Sequence, residues 1–121
     1  MPRIPLYFSE GLNQFDFGAG HPFHGARFKE FVNILRETGL LDSCDVIEPI
    51  PATDDDLSLV HTEDYLALVE KAKNIGGWLS MDTPATMGAV NAQRLIAGSG
   101  LQAAKLLLDG ERSIADRKSV V

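Results

Sequence analysis

The chain has 121 residues, of which 45% are hydrophobic, and this length indicates a single domain with one core. Its 17 acidic and 11 basic side chains give a net charge of −6, which argues against a nucleic-acid partner because such partners require clustered Lys and Arg. Cys44 is the single cysteine, so no internal disulfide is expected, and the composition is typical of the reducing cytoplasm. A secretory signal and a membrane span are both missing from the sequence, so we expect a cytoplasmic protein with no membrane partner.

The first half of the chain predicts a strand, a loop, a helix and a second strand. Residues 4–8 form a short apolar run that is typical of a buried strand. Residues 11–25 have no apolar period and predict a long loop. Apolar residues spaced three and four apart between positions 28 and 35 then predict a helix that Gly39 closes. Residues 44–50 contain β-branched side chains and are bounded by prolines, which indicates a second strand at a sheet edge.

The second half predicts helices. Thr53 and Thr62 have the residue type of N-terminal caps, and Gly76 is placed to end the helix that follows Thr62. We expect residues 80–84 to form a loop that leads into a long helix ending near residue 108, with Pro84 in its first turn.

The alternation of strands and helices predicts the α/β class, as a partial parallel sheet with flanking helices in one domain over residues 1–121. Charged residues 116–118 interrupt what would be a third strand, so the sheet looks narrow and unfinished. Gly98 and Gly100 each weaken the long helix by about 1 kcal/mol relative to Ala, which favours close packing against a neighbour. Exposed sheet edges of this kind predict a homo-oligomer.

The residues that carry chemistry form no obvious catalytic set. His21 and His24 have a spacing found in metal sites, but a zinc site needs three protein ligands, and loop packing or solvent exposure is the alternative. For His61, the alternatives are a structural role, in which it forms a hydrogen bond, and a catalytic role. Cys44 has no obvious basic neighbour to activate its thiol. Acidic residues 54–56 are typical of the first turn of a helix and do not indicate a carboxylate pair for acid–base catalysis.

Three segments carry motifs in a fixed order. Residues 15–35, FDFGAGHPFHGARFKEFVNIL, contain Gly-x-Gly-His-Pro with His21 and Pro22, followed by Arg27. Residues 61–65 read His-x-x-x-Tyr, and a later segment begins with Asp82-x-Pro ahead of the long helix. Together these segments resemble the histone-deacetylase family, including its acetoin-utilisation and acetylpolyamine-deacetylase branches.

The resemblance implies a fold of the arginase-deacetylase type and an activity that removes acyl groups from lysine or polyamine amines with a catalytic zinc. In family members the histidine pair, the metal ligands and the oxyanion-stabilising tyrosine would follow the point at which this sequence reads IADRKSVV. We therefore expect the N-terminal third of a deacetylase, with no catalytic residue, no metal ligand and no cofactor in this chain. Zinc and an acetylated amine substrate would belong to the full-length context.

Within this segment the resemblance assigns roles to single residues. Asp82 would accept hydrogen bonds from substrate backbone N–H groups at the channel mouth and so orient the acyl chain, the alternative being a cap for the long helix. Arg27 would line the internal cavity beyond the metal, where acetate could pair with it. His21 and Pro22 would shape the loop before it.

Two functional classes remain open from the sequence. The chain is either a fragment whose role belongs to a full-length deacetylase, or a standalone non-enzymatic module that binds a ligand or a partner chain. A continuous reading frame that encodes the missing histidine and zinc-ligand motifs would select the first class.

Overall fold

A computed structural model of the chain describes residues 3–16, 21, 24–81, 83–112 and 115. The elements in chain order are β1 (Ile4–Tyr7), a 3-10 helix (Glu10–Gln14), α1 (Ala26–Glu37), a second 3-10 helix (Leu40–Ser43), β2 (Cys44–Ile47), α2 (Asp54–Leu57), α3 (Glu63–Ile75), β3 (Trp78–Ser80), β4 (Thr83–Pro84) and α4 (Met87–Leu108). Within the described ranges, no helix combines the length and apolar character that crossing a bilayer would require.

The first two strands form the predicted parallel pair. Strand β1 runs beside β2 in a register that places Ile4 opposite Cys44 and Tyr7 opposite Ile47. The strand pairing ends at Ile47, three residues before the predicted end, and Pro49 and the following proline carry no N–H group for a ladder. The proposed third strand falls mostly outside the described residues.

Asp45 joins the two ends of the described chain. Its carboxylate accepts from Arg3 Nε at 2.6 Å and from Arg112 Nη2 at 2.7 Å. Arg3 also donates to the backbone carbonyls of Asp42 and Cys44, which fixes the start of β1 against the start of β2. The hydrogen bond from Arg3, together with the charges of both arginines, holds the pKa of Asp45 below its usual value.

The core on one side of the sheet forms between α1, α4 and the first 3-10 helix. Phe15 and Phe28 meet edge to face, with ring centroids 6.3 Å apart and an interplanar angle of 88°. Leu12, Ala92 and Ile96 complete this buried cluster. The helix at Glu10–Gln14 shows that the loop predicted over residues 11–25 is wrong at its start, because an apolar Leu12 anchors a helical turn there.

The segment after β2 lies directly against α4. Ile50 N–H donates to Gln102 Oε1 at 2.8 Å, and Ala52 N–H donates to the carbonyl of Arg94 at 2.9 Å. Ile50 lies between Pro49 and Pro51, and Ala52 follows Pro51. These two residues therefore supply the backbone N–H groups that the prolines lack. A Cβ built on Gly98 would lie 1.7 Å from the carbonyl oxygen of Ile50, so the close packing predicted at this glycine is confirmed.

The predicted helix ends are also confirmed around α2 and α3. Thr53 and Asp56 form a capping box at the start of α2, and Thr62 caps α3 by accepting from Tyr65 N–H at 3.1 Å. Gly76 ends α3 with a φ of 69°, a left-handed conformation that glycine adopts without strain.

The long helix α4 starts later than predicted. Pro84 belongs to β4 and lies opposite Trp78 of β3, so its predicted place in the first helical turn is wrong. The cap is Thr86, whose hydroxyl accepts from Ala89 N–H at 3.0 Å. Thr86 has an extended backbone with a side-chain oxygen free to cap, which makes it the better helix start.

Candidate functional site

The antiparallel hairpin β3–β4 replaces the predicted loop over residues 80–84. Ser80 pairs with Thr83, so Met81 and residue 82 connect the two strands. Met81 is fully exposed, with 100% relative accessibility. Asp82 itself lies outside the described residues, and its substrate-binding role stays a prediction. Since Thr86 is the cap of α4, the alternative role of Asp82 as that cap is wrong.

The base of the hairpin is anchored at both strands. Gly77 N–H donates to the carbonyl of Ala72 in α3 at 2.8 Å, and Ala85 N–H donates back to the carbonyl of Gly77 at 2.8 Å. Ala85 is 1% exposed and packs with Ala72 and Val90 in a second buried cluster. The hairpin therefore has a packed base, and Met81, directly after β3, is exposed.

A groove of about 340 Å³ lies beside this hairpin. We call it the α3–α4 groove, and its apolar wall includes Leu66, Val69, Leu79, Pro84 and Val90. His61 and Tyr65 stand at its edge with ring centroids 5.1 Å apart and an interplanar angle of 31°. The contact gives His61 a packing role, while both side chains remain solvent-exposed.

Arg94 is the main charged group at the groove. Its Nη2 lies 2.8 Å from Asp54 Oδ1 and 3.6 Å from Glu70 Oε1, and its Nη1 donates to the carbonyl of Ala52 at 3.3 Å. Lys73 Nζ lies 2.9 Å from Glu70 Oε2. The guanidinium is thus held by two carboxylates and a backbone oxygen on a half-buried surface.

Sequence reasoning missed this role of Arg94. The sequence did contain a signal, because Arg94 is a charged side chain in the mostly apolar helix α4. A charge in such a helix needs partners from other elements. The partners could not be identified from spacing, because Asp54 and Glu70 come from two other helices.

Of the first motif, the described residues His21, His24 and Arg27 do not line the groove. His21 is half-buried, and His24 and Arg27 are exposed, with Arg27 in the first turn of α1. A Cβ on Gly25 would lie 1.7 Å from the carbonyl oxygen of Asn13, so this glycine lets the loop lie against the first 3-10 helix. Pro22 lies outside the described residues, and the internal cavity predicted beside Arg27 stays a prediction.

Two buried polar atoms are unsatisfied within the described ranges, one of them on Tyr7, the last residue of β1. Tyr7 Oη and Asn13 Oδ1 have no hydrogen-bond partner in the described part of the chain. Burial raises the pKa of the Tyr7 hydroxyl, and the charge of Arg112 opposes that shift. A buried polar group without a hydrogen bond lowers the stability of a fold. A hydrogen-bonding group placed beside either atom would therefore stabilise this fold.

The described residues do not assemble a metal site. Across residues 3–16, 21, 24–81, 83–112 and 115, no group of three or more His, Cys, Asp or Glu side chains is placed to hold an ion. The Cys44 thiol donates instead to the carbonyl of Leu40 at 3.7 Å.

The sequence and the fold together define the class of this protein. Residues 21–117 match the family described as the histone deacetylase domain, and the chain belongs to that family. A probable deacetylase of Archaeoglobus fulgidus is 30% identical over 108 residues, which cover 88% of this chain and 30% of the relative. The acetoin utilization protein AcuC of Bacillus subtilis is 29% identical over 113 residues, or 86% of this chain and 29% of that protein. The chain thus spans about 30% of the length of these relatives.

A solved structure confirms the predicted fold class. The crystal structure of the HDA15 HD domain matches with a TM-score of 0.82 at 22% identity, covering 95% of this chain and 34% of that chain. At this identity the likeness concerns the fold, which is a portion of the arginase-deacetylase type.

Proposed function

We propose that this chain is the N-terminal part of a zinc-dependent deacetylase that hydrolyses the amide of an acetylated amine. In this proposal it carries part of the substrate rim and is inactive alone. The observation that supports it best is the β3–β4 hairpin, whose base is packed and whose two strands flank Asp82 in the sequence. Membership of the histone deacetylase family supplies the reaction class.

The role of Asp82 follows from charge and position. A carboxylate accepts hydrogen bonds from backbone N–H groups, and such charge-assisted bonds are shorter and stronger than neutral ones. The hydrogen bonds of Gly77 and Ala85 hold the base of the hairpin, whose two strands flank Asp82 in the sequence. A substrate held in this way presents its acyl group in one orientation, and this lowers the entropic part of the barrier.

The zinc of this reaction would be held by other residues of a longer polypeptide. Within the described ranges the donors do not fit the ion, because no three His, Cys, Asp or Glu side chains are placed together, His61 packs on Tyr65, and the Cys44 thiol is hydrogen-bonded to a backbone carbonyl. A catalytic zinc site requires three protein ligands around an open position. The contribution of this segment is therefore to bind and orient the substrate.

A chimera tests the proposal. Residues 1–112 of this chain would replace the corresponding segment of the Archaeoglobus fulgidus relative, and hydrolysis of an acetyl-lysine peptide would be followed in parallel with the unmodified relative. We expect zinc-dependent turnover from the chimera and none from the isolated chain. Chelator-sensitive turnover by the repurified isolated chain would contradict the proposal, as would an inactive but folded chimera beside an active parent.

A further inference from the structure

The β3–β4 hairpin exposes a group of apolar side chains. Met81 is 100% exposed, so the described residues cover none of its surface, and Trp78 is 65% exposed. Leu79 lies between them in the sequence, lines the α3–α4 groove and is still 37% exposed. A single exposed apolar residue is ordinary, but several on one short element indicate a surface that contacts a ligand or a partner.

The sequence around this hairpin contains a single charge. Asp82 is the only charged residue between Lys73 and Arg94. Its carboxylate binds N–H groups through its charge, whereas the residues on either side of it have apolar surface and neutral groups to offer. Discrimination among substrates beside Asp82 therefore depends on apolar contact and not on a second charge.

Met81 directly precedes Asp82 in the chain. Consecutive α-carbons lie about 3.8 Å apart across a trans peptide, in a substrate peptide as in the enzyme. A peptide whose backbone N–H groups bind Asp82 therefore brings the side chain next to its acetylated residue within reach of Met81. The thioether side chain of methionine is unbranched and has three rotatable bonds, so it adapts to apolar partners of different shapes.

We propose that Met81 is a specificity-determining residue that favours an apolar side chain directly beside the acetylated residue of the substrate. The inference rests on the proposed function, because it requires Asp82 to bind the substrate backbone. Contact with Met81 removes apolar surface of both side chains from water, and a small polar neighbour such as serine lacks this contact. The substrate class is therefore an acetylated lysine within a peptide that has apolar neighbours, and not a free acetylated amine.

The chimera that carries residues 1–112 in the Archaeoglobus fulgidus relative tests this preference. The value of kcat/KM would be measured for acetyl-lysine flanked on both sides by leucine, for acetyl-lysine flanked on both sides by serine, and for acetylcadaverine, which has no peptide backbone. We expect the leucine peptide to exceed the serine peptide by about threefold to tenfold, and acetylcadaverine to be the poorest substrate. Equal values for the two peptides, or the highest value for acetylcadaverine, would overturn the inference.

The outcome also separates this inference from the proposed function. A folded chimera that hydrolyses none of the three substrates, beside an active parent, would overturn the proposed function and this inference with it. An active chimera without the preference for leucine would overturn this inference alone.

Three variants of the chimera test whether Met81 is the cause. Met81→Gln keeps the length of the side chain but removes apolar surface, so the leucine-to-serine ratio should fall to about one, whereas Met81→Leu should keep the ratio. Leu108→Gln is the matched control, because Leu108 is 87% exposed at the end of α4. The ratio does not depend on the fraction of enzyme that is folded, so a loss of stability does not imitate the effect. A ratio that Met81→Gln leaves unchanged, or that Leu108→Gln lowers equally, would overturn the role of Met81.

Discussion

The α-carbon of Gly98 faces the carbonyl oxygen of Ile50 so closely that an added Cβ would lie 1.7 Å from that oxygen. Gly98→Ala should therefore destabilise the fold by about 1–3 kcal/mol through overpacking, even though Ala is the better helix former. Gly88→Ala is a comparison with a milder clash, because its Cβ would lie 2.9 Å from the carbonyl oxygen of Gln14. Urea denaturation should rank the Gly98 variant as the less stable of the two, and the reverse order would contradict the close approach.

The second prediction concerns Asp82 in an active, longer protein that contains this segment. If the carboxylate orients the substrate, Asp82→Asn should lower kcat/KM by about one to two orders of magnitude, equivalent to roughly 1.5–3 kcal/mol for a charged hydrogen bond. The melting temperature should not change, because the cap of α4 is Thr86.

The control for that experiment is Thr86→Ala. This change removes the hydroxyl that accepts from Ala89 N–H, and it should cost about 1 kcal/mol of stability. Its effect on the measured melting temperature shows that the assay detects the loss of a helix cap. Wild-type kinetics in the Asp82→Asn protein would rule out the substrate-orienting role.

The third prediction is a pH dependence that originates at Asp45. The pKa of this carboxyl is lower in the folded chain than its usual 3.8, so its contribution to stability is complete above that value. The contribution is lost as the pH falls through the lowered pKa and the carboxylate is protonated. Thermal melts should show wild type more stable than Asp45→Asn near pH 6, with a smaller difference near pH 3. Glu37→Gln should show no comparable convergence, and a gap for Asp45→Asn that does not change with pH would exclude the ion pairs as its cause.

The fourth prediction is self-association of the isolated chain. Leu59 and Val60 are 81% and 79% exposed in the turn after α2, and Trp78 is 65% exposed on the hairpin. Apolar surface of this kind favours association. Light scattering at high concentration should give a mass above 13.2 kDa, and Leu59→Lys with Val60→Lys should reduce it. Glu37→Lys is a charge control. A 13.2 kDa monomer that binds no hydrophobic dye would contradict the expectation.

Local signals in the sequence predicted much of this fold. The caps at Thr53 and Thr62 and the helix end at Gly76 depend on residues within one turn, and all three are confirmed. The parallel strands were predicted as well, because apolar runs bounded by turn residues are typical of strands.

The parts that were missed depend on contacts between distant segments. Strands β3 and β4 contain three and two residues, too few for an alternating pattern, and their base is fixed by Ala72 of α3. The partners of Arg94 come from α2 and α3, which spacing along α4 does not indicate. For the candidate site, the motif with Asp82 was found by resemblance, whereas the groove beside the hairpin exists through packing alone.

The shared carboxylate of Asp45 also has a topological consequence. Because Arg3 and Arg112 bind the same side chain, the first and the last long described segments are tied together at Asp45. A short linker could therefore join these two positions, and the chain could be opened instead in the exposed turn at residues 58–61. Such a circular permutant would keep the packed contacts of α4 while its new ends lie in the turn between α2 and α3.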